Sequence, residues 1–228
     1  MTTEVESIAV ITTDFPEKFG IPRQSGLAEG ATGRIRFEKK YCHPDAVRGL
    51  DSFDRLWLLW HFDGIEDREW AATVRPPHMG GNERIGVFAT RSPFRPNPIG
   101  LSCVKLEKIE YTENGPELIV SGVDLKNGTK IYDIKPYLPY ADSYPEAKAG
   151  FTEQTAKQTL TVNCPEECLE ICTEKEREVI LTLLSLDPRP AYQNDPKRIY
   201  GMKYKTYDIH FRVEETTLYV TDIQKPPK

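Results

Sequence analysis

Residues 86–102 read Gly-Val-Phe-Ala-Thr-Arg-Ser-Pro-Phe-Arg-Pro-Asn-Pro-Ile-Gly-Leu-Ser. Val87 and Phe88 predict a short buried strand, but the three prolines that follow prevent a helix or a sheet from continuing. Because prolines restrict the unfolded backbone, this proline-rich loop (residues 90–98) holds Arg91 and Arg95 in place at a low cost in conformational entropy. A binding loop for carboxylate or phosphate is one interpretation, since guanidinium groups clamp both anions. A rigid connector whose arginines face solvent is the other.

The composition is that of a globular protein. A chain of 228 residues with 39% hydrophobic content can bury a core in one large or two small domains. No apolar run reaches the length of a membrane span, and the N-terminus lacks a targeting pattern, so we expect a cytoplasmic protein without a membrane partner. The five cysteines, an odd number, indicate free thiols in a reducing compartment. With a net charge of −5, any nucleic-acid partner must meet a local basic patch.

Alternation of apolar and polar residues predicts a mainly β fold. The predicted strands of the first part cover residues 7–12, 32–37, 55–62, 101–111, 117–125 and 129–138. Asn-Gly pairs at 114–115 and 127–128 favour tight turns, so we expect the last three strands to form an antiparallel meander. No nucleotide-binding glycine motif is present, and strands do not alternate with long helices. The predicted architecture is therefore an antiparallel β-barrel with a small C-terminal α+β domain.

The polar segment 141–150 marks the predicted domain boundary, with one domain at residues 1–145 and the other at residues 146–228. In the second domain, the capping box Thr173-Glu-Lys-Glu176 predicts a helix that ends before Pro188. Residues 204–213 and 217–223 then alternate as a final β-hairpin.

Three cysteines, Cys164, Cys168 and Cys172, are spaced four residues apart. On a helix this spacing would place all three on one face. No Cys-x-x-Cys pair accompanies them, although structural zinc sites usually contain one. We interpret them as residues of a helix face and predict no metal site.

The predicted strand 129–138 carries two charged residues. Its alternation assigns one face to Tyr132, Ile134 and Pro136, and the other to Ile131, Asp133, Lys135 and Tyr137. Asp133 and Lys135 therefore share a face. The residues alone leave two interpretations open, a surface ion pair that contributes little stability and a pair that takes part in catalysis.

Four segments in order resemble one known family. They are Ile-Pro-Arg-Gln at 21–24, Phe-Asp-Arg-Leu-Trp-Leu-Leu-Trp-His-Phe at 53–62, the stretch at 86–102, and Asp-Ile-Lys-Pro-Tyr-Leu-Pro-Tyr-Ala-Asp at 133–142. Residues 5–145 resemble the bacterial tRNA N6-threonylcarbamoyladenosine N6-methyltransferases, the TrmO or TsaA-like family. Asp-Pro-Arg-Pro-Ala-Tyr at 187–192 is similar to the C-terminal element of that family.

The resemblance implies a β-barrel that binds S-adenosylmethionine, works as a homodimer and methylates the adenosine 3′ of the anticodon in threonine tRNA. Carried over by position, the implied cofactor-binding residues are Pro22, Arg23, Gln24, His61, Phe62, Arg91, Leu101, Asp124, Leu125, Lys126, Asn127, Gly128, Thr129 and Lys130. The family pattern Asp-Gly-Thr-Pro is replaced here by Asn-Gly-Thr-Lys at 127–130. An Asn-Gly turn retains the geometry, while an acidic side chain and a proline are lost.

Within the implied reaction, the acceptor nitrogen attacks poorly while it keeps its proton, so a base is useful. We assign catalysis to Asp133 and Lys135, with the carboxylate as base or orienting group. Arg23 or Arg91 would pair with the cofactor carboxylate. Two other readings remain open, a non-catalytic nucleotide- or RNA-binding barrel and methyl transfer to a different acceptor.

The tail holds the densest basic stretch of the chain. Its cationic residues are Arg189, Lys197, Arg198, Lys203 and Lys205, interleaved with Tyr192, Tyr200, Tyr204 and Tyr207. Cations meet phosphates, and tyrosines can stack on bases that are splayed from an anticodon loop, so we expect this region to dock tRNA. Tyr207 also belongs to the apolar face of the final hairpin, and Asp187 and Asp195 dilute the basic patch, so an ordinary solvated surface is the alternative.

Overall fold

A closed barrel of six antiparallel strands forms the first part of the chain in a computed structural model, which describes residues 4–65, 69–76, 83–154, 159–189, 193 and 195–225. In chain order the strands are β1 (Ala9–Thr13), β2 (Thr32–Phe37), β3 (Arg55–His61), β4 (Thr73–Val74), β5 (Ile85–Gly86), β6 (Ile99–Thr112), β7 (Gly115–Ser121) and β8 (Thr129–Pro136). The order around the barrel is β1-β2-β7-β6-β3-β8, while β4 and β5 form a separate two-stranded ribbon. The predicted mainly β barrel is confirmed.

Strand β3 shows how the sequence builds the barrel. Leu56, Leu58 and Trp60 are buried and point inward, whereas the residues between them are only partly buried. Such alternation is what a strand with one face on the core requires. The strand is also apolar on its other side, because Trp57 and Leu59 lie on the outer face. They leave apolar surface on the outside of the barrel.

The predicted three-strand meander is wrong in its second half. The β6–β7 hairpin forms as expected, but β7 ends at Ser121 and its other neighbour is β2. Gly122, at φ 70°, turns the chain away, and residues 122–128 cross to β1. There the N–H of Asn127 donates to the Phe15 carbonyl (2.8 Å) and that of Gly128 to the Ile11 carbonyl (2.9 Å). The Asn-Gly turn therefore starts β8 beside β1 and does not close a hairpin.

A β-bulge in β8 changes the predicted assignment of faces. Leu59 pairs with Asp133, but the next residue, Trp60, pairs with Ile131, which leaves Tyr132 as the extra residue. Ile131 is fully buried, and Ile134 packs against the same core. The prediction that Ile131 shares a face with Asp133 is therefore wrong, because the bulge reverses the alternation between them.

The start of the quoted stretch also differs from the prediction. Val87 and Phe88 lie in a 3-10 turn, Val87–Ala89, and not in a strand. The Val87 carbonyl accepts both the N–H (3.1 Å) and the hydroxyl (2.8 Å) of Thr90, which closes the turn. Val87 is buried, while Phe88 is 73% exposed. Of this pair, only Val87 therefore contributes to the core, and Phe88 lies at the surface.

The C-terminal part is a four-stranded sheet covered by a helix. Its strands are β9 (Thr161–Asn163), β10 (Tyr200–Tyr204), β11 (Tyr207–Glu214) and β12 (Thr217–Gln224), in the order β10-β11-β12-β9, with β9 parallel to β12. The helices are α1 (Pro139–Asp142), α2 (Glu166–Leu169) and α3 (Glu174–Ser185). The predicted hairpin, the helix and both halves of its capping box are confirmed. Strands β9 and β10 were not predicted.

The interpretation of the three cysteines as one helix face is wrong. Helix α2 contains Cys168, but Cys164 precedes it and Cys172 lies before α3. Burial, together with the neighbouring cysteines and Glu166, raises the pKa of Cys164 to about 11. None of the helices in the described part of the chain is long and apolar enough to cross a membrane.

The β1–β2 loop, residues 14–31, packs against the C-terminal sheet. The N–H of Lys205 donates to the Asp14 carbonyl (2.7 Å), and the Tyr204 hydroxyl donates to the Asp14 carboxylate (3.3 Å). The rings of Phe15 and Tyr204 lie 5.8 Å apart. One side of this loop is therefore held by the C-terminal part, which leaves the other side for the site described next.

Candidate functional site

A cavity of about 470 Å³ lies where the β1–β2 loop, the proline-rich loop and the ends of β3 and β6 meet. Most of the residues implied by the resemblance line it, namely Pro22, Arg23, Gln24, His61, Phe62, Arg91, Leu101, Asp124, Lys126 and Thr129. They come from separate segments of the chain, so the barrel is what brings them together. Its volume suits a small molecule.

The proline-rich loop supplies one wall of the cavity. Arg95 turns back on its own loop and donates to the carbonyls of Thr90 (2.9 Å) and Ser92 (3.5 Å). Arg91 instead extends across the cavity and donates to the side-chain oxygen of Gln24 on the β1–β2 loop. The two arginines of this loop thus have different roles. Arg95 braces the backbone, and Arg91 presents an exposed guanidinium at the cavity.

Trp60 forms an inner wall because Gly100 leaves room for it. A Cβ atom at Gly100 would lie 2.2 Å from Cε2 of the indole, so no other residue fits there without moving the ring. The indole N–H donates to the Ser102 hydroxyl (2.9 Å), which in turn donates to the Asp124 carboxylate (2.6 Å). The Phe62 ring lies 4.3 Å from the Trp60 ring. An apolar wall therefore ends in a carboxylate.

Asp124 is the titratable group most altered by this environment. Burial raises its pKa to about 6, and the hydrogen bonds from Ser102, from its own amide and from the Ser25 amide, together with the charge of Arg91, oppose the rise. At neutral pH the group is mostly ionised, yet it lies close to its titration point. A carboxylate of this kind binds cations and hydroxyl groups, and it can also accept a proton.

His61 and Tyr132 form a pair at the rim of the cavity. The Tyr132 hydroxyl lies 2.7 Å from Nδ1 of His61, and the two rings meet edge to face at 5.8 Å. The bulge in β8 places Tyr132 here, because it turns that side chain out of the regular alternation. Burial raises the pKa of the Tyr132 hydroxyl, with Asp63 adding to the effect. The pair holds the imidazole in a defined orientation.

Four residues of the implied cofactor set do not line the cavity. Leu125 is fully buried in the core, and the side-chain oxygen of Asn127 accepts the N–H of Thr13 (3.1 Å). Gly128 bonds to β1, and Lys130 is exposed on β8. The Asn-Gly turn is therefore anchored to β1, and a direct role of these four residues with a cofactor stays a prediction.

Asp133 and Lys135 lie on the outer face of the barrel and form an ion pair, with 2.7 Å between Nζ and Oδ2. Neither residue lines the cavity. Asp133 pairs with Leu59, which pairs in turn with Leu101 at the cavity rim. Two strand spacings, about 10 Å, therefore separate the backbone of Asp133 from that of Leu101. Their catalytic role stays a prediction.

The predicted tRNA-docking residues fall into two groups. Tyr200 and Tyr204 are buried, so a stacking role for them is wrong. Tyr207 is buried as its place on the apolar face of the hairpin predicts, and Tyr192 lies outside the described residues. Arg189 and Lys205 are committed to ion pairs with Asp187 and with Glu176 and Asp14, respectively. Lys197, Arg198 and Lys203 remain exposed.

Two family models match this chain. A family model described as the tRNA-methyltransferase O N-terminal domain matches residues 10–143, and one described as the TrmO C-terminal domain matches residues 157–226. The chain belongs to the TrmO family. An Escherichia coli protein named tRNA (adenine(37)-N6)-methyltransferase is 40% identical over 220 residues, which is 93% of this chain and 94% of that protein.

Two matches from Pseudomonas aeruginosa, a sequence and a solved structure, add to this TrmO assignment. One, named as an S-adenosylmethionine-dependent methyltransferase, is 39% identical over 220 residues and covers 92% of this chain and 93% of its own length. The other is a crystal structure of TrmO that superposes with a TM-score of 0.76 at 33% identity, over 98% of this chain and all of that chain (100%). The resemblance found in the sequence is thus confirmed at the level of the family and the fold.

Sequence reasoning missed several residues of the cavity in this TrmO protein. Lys18, Trp60, Asp63 and Gly100 line it, and Lys18 donates from Nζ to the Asp63 carbonyl (2.5 Å). A signal for Trp60 was present, since a glycine at the start of a strand often marks a close approach by another group. No local signal identified Lys18, because its position depends on the fold of the whole β1–β2 loop.

Proposed function

We propose that this protein transfers a methyl group from S-adenosylmethionine to N6 of adenosine 37 in tRNA. The observation that carries the proposal is the cavity in which Arg91, Gln24, His61 and Asp124, from four separate segments, meet. The names of the relatives support the same activity. The cofactor, when bound, supplies a methyl group attached to a positively charged sulfur. The chain itself has to bind the cofactor, orient it toward the acceptor nitrogen and remove a proton from that nitrogen.

The residues of the cavity fit the chemistry of this cofactor. Arg91 offers two N–H groups in a plane, which suits a carboxylate. Asp124 offers an ionised acceptor, which suits an ammonium group or ribose hydroxyls, and its buried position strengthens the interaction. Phe62 and Trp60 offer an apolar wall for a purine ring. Arg91 is our choice for the carboxylate, because main-chain carbonyls already hold the Arg23 guanidinium.

We assign the acceptor side to the outer face that carries Asp133 and Lys135. There the carboxylate would accept or orient the N6 proton of a threonylcarbamoyl-adenosine, and the ammonium group would hold the carboxylate in place. The exposed side chains of Ile99 and Leu101, 43% and 47% exposed, adjoin this face. Their exposure supports a homodimer in which a second copy covers them.

We divide the work between two domains, residues 1–145 for the cofactor and residues 146–228 for tRNA, and we place the protein in the cytoplasm. Threonine tRNA is the proposed substrate. Lys197, Arg198 and Lys203 would contact phosphates, since they are the exposed cations of the tail. Changing all three to alanine should weaken tRNA binding and flatten its salt dependence while cofactor affinity is kept. An unaltered salt slope in filter binding would refute this docking surface.

The test of the proposed function begins with calorimetry of S-adenosylmethionine binding. Arg91→Ala should weaken binding by about 1.5–3 kcal/mol, the range for a charge-assisted hydrogen bond, and Arg91→Lys should also weaken it because an ammonium group makes no paired contact. Arg84→Ala is the matched control, since Arg84 bonds to Thr73 and does not line the cavity. If folded Arg91→Ala binds S-adenosylmethionine as tightly as the parent, Arg91 does not bind the cofactor.

The acceptor is tested separately by nucleoside analysis of tRNA from a deletion strain. Loss of the N6-methyl group at position 37 of threonine tRNA, restored by the parent gene, is the expected result. Cofactor binding without any loss would favour methyl transfer to a different acceptor. A protein that binds nucleotides or RNA but not S-adenosylmethionine would favour the non-catalytic barrel.

A further inference from the structure

Arg23 joins the cavity to the C-terminal part of the chain. Its loop lines the cavity, but its Nη2 donates to the main-chain carbonyls of Asp187 (2.8 Å) and Arg189 (3.2 Å) just beyond α3. A second cavity of about 310 Å³ lies between the same loop and the end of α3. The bonds from Arg23 thus connect the loop to the turn after α3 beside this space.

The two carbonyls are themselves held by an ion pair. Nε and Nη2 of Arg189 donate to the two carboxylate oxygens of Asp187 at 2.8 and 2.9 Å, and the Arg189 N–H donates to the same carboxylate (3.3 Å). Arg189 is only 8% exposed, while the Asp187 side chain is 26% exposed, so the arginine side of the pair is the shielded one. Asp187 has a φ of 50°, which few residues other than glycine, asparagine and aspartate adopt. The turn 187–189 is thus a rigid acceptor for Arg23.

The effect of Arg23 reaches the cavity through its neighbour. Gln24 follows Arg23, and the Gln24 side-chain oxygen accepts the hydrogen bond from Arg91. A shift of the backbone at Arg23 would therefore move the partner that orients the Arg91 guanidinium.

We propose that Asp187 and Arg189 are positioning residues for the cofactor cavity, which act through Arg23 and Gln24 on Arg91. The proposal rests on the proposed function of that cavity, and it assigns the turn after α3 a role in cofactor affinity that is separate from tRNA docking. The C-terminal part thereby sets how tightly the barrel binds S-adenosylmethionine, even when tRNA is absent.

The first test is a double-mutant cycle on S-adenosylmethionine affinity, measured by calorimetry without tRNA. Arg189→Ala and Arg23→Ala should each raise the Kd about three- to tenfold, the range for the net effect of one hydrogen bond. The double variant should be no weaker than Arg23→Ala alone, because both changes break the same path. Arg177→Ala is the matched control, since Arg177 also bonds a main-chain carbonyl, that of Cys172 (3.3 Å), but does not reach the loop.

Three outcomes would overturn the proposal. They are an unchanged Kd in folded Arg189→Ala, effects that add fully in the double variant, and an equal effect of Arg177→Ala. If Arg189→Ala fails to fold, Asp187→Asn replaces it, because asparagine tolerates the left-handed backbone while losing the charge. We expect the Kd of that variant to lie between those of the parent and of Arg23→Ala. A Kd equal to that of the parent would refute the positioning role.

The second test needs no cofactor. Amide hydrogen exchange in the protein without S-adenosylmethionine should be faster over residues 20–26 in Arg189→Ala and in Arg23→Ala, while β3 exchanges as in the parent. Unchanged protection over residues 20–26 would refute the bond from Arg23 as a restraint on the loop. A parent that binds no S-adenosylmethionine would instead refute the proposed function, so the two failures are distinguishable.

Discussion

Asp124 and Asp133 are both carboxylates of the barrel, but they occupy opposite environments. Asp124 lies inside the cavity, accepts a hydrogen bond from Ser102 and has Arg91 nearby, without a direct ion pair between them in the described structure. Asp133 lies on the outer face, with its side chain 42% exposed and in a direct ion pair with Lys135. The same side chain is thus used once as a buried charge and once as a hydrated one.

The difference shows what each carboxylate can contribute. Burial raises the pKa of Asp124, so this group gains strength as a ligand for a cation but makes the fold less stable when it is ionised. Asp133 is partly exposed to solvent and paired with Lys135, so it adds little to stability. A substrate can reach it from outside the barrel. We expect cofactor affinity to depend on Asp124 and the rate of methyl transfer on Asp133.

The largest expected effect is on the rate of methyl transfer in Asp133→Asn. Loss of a base or orienting group should lower the single-turnover rate on modified tRNA by about 100-fold or more, with cofactor affinity unchanged. Asp45→Asn is the control, since Asp45 is an exposed aspartate that pairs with Arg48 and does not line the cavity. A rate within about threefold of the parent, under ~0.7 kcal/mol in barrier, would return Asp133 to the surface ion pair.

Next in size is the effect of Asp124→Asn on cofactor affinity. Replacing the carboxylate by an amide should weaken S-adenosylmethionine binding by about 1.5–3 kcal/mol, because a charge-assisted interaction is lost. Calorimetry at pH 8, where the parent carboxylate is ionised, measures it. If Asp124→Asn binds as tightly as the parent, Asp124 serves the fold alone and the contrast with Asp133 is lost.

The pH dependence sharpens the contrast. Because the pKa of folded Asp124 is about 6, against an ordinary value of 3.8, cofactor affinity should be constant above about pH 7 and weaken as pH falls through 6. The stability contribution has the opposite sign, being fully present below pH 3.8 and lost as pH rises through 6. Asp124→Asn should therefore remove the pH dependence of binding and raise the Tm at pH 8 by a few degrees. A Tm that falls at pH 8 would contradict this sign.

The smallest effect is expected for the stability of the outer ion pair. A double-mutant cycle of Asp133→Asn and Lys135→Met, followed by urea unfolding, should give a coupling under about 1 kcal/mol, since exposed pairs contribute little. A coupling well above that value would show that the pair supports the fold, and the loss of rate in Asp133→Asn could then not be assigned to chemistry.

Local pattern was sufficient for much of the barrel, the helix α3 and the final hairpin. Each of these depends on alternation, on a capping box or on a tight turn, which are properties of neighbouring residues. The pairing of β7 with β2 was not predictable in that way, because it depends on a crossing segment whose hydrogen-bond partners are Ile11 and Phe15. The bulge at Tyr132 was not predictable from the sequence either, since one extra residue leaves the composition of the strand unchanged.

In the candidate site, too, some features were predictable from the sequence and others depend on the folded structure. Recognition of family motifs identified half of the lining residues, including Arg91 and Asp124. The different roles of Arg91 and Arg95 were not predictable, since both follow the same pattern and only the folded loop turns one of them back on itself. The link from Arg23 to residues 187–189 was also not predictable, because its acceptors are backbone carbonyls, which carry no sequence signal.

Closure of the barrel has a consequence for its synthesis. Strand β1 pairs with β8, and Ser7 and Ile131, which meet at this seam, are 124 positions apart in the chain. At the usual pace of translation, on the order of ten seconds pass between the emergence of β1 and that of its last partner. Throughout that time one edge of the growing sheet has no partner, and such edges pair readily with other chains. A nascent chain that stalls before β8 is therefore an open sheet with two unpaired edge strands. We expect this chain to need a chaperone, whereas the finished protein does not.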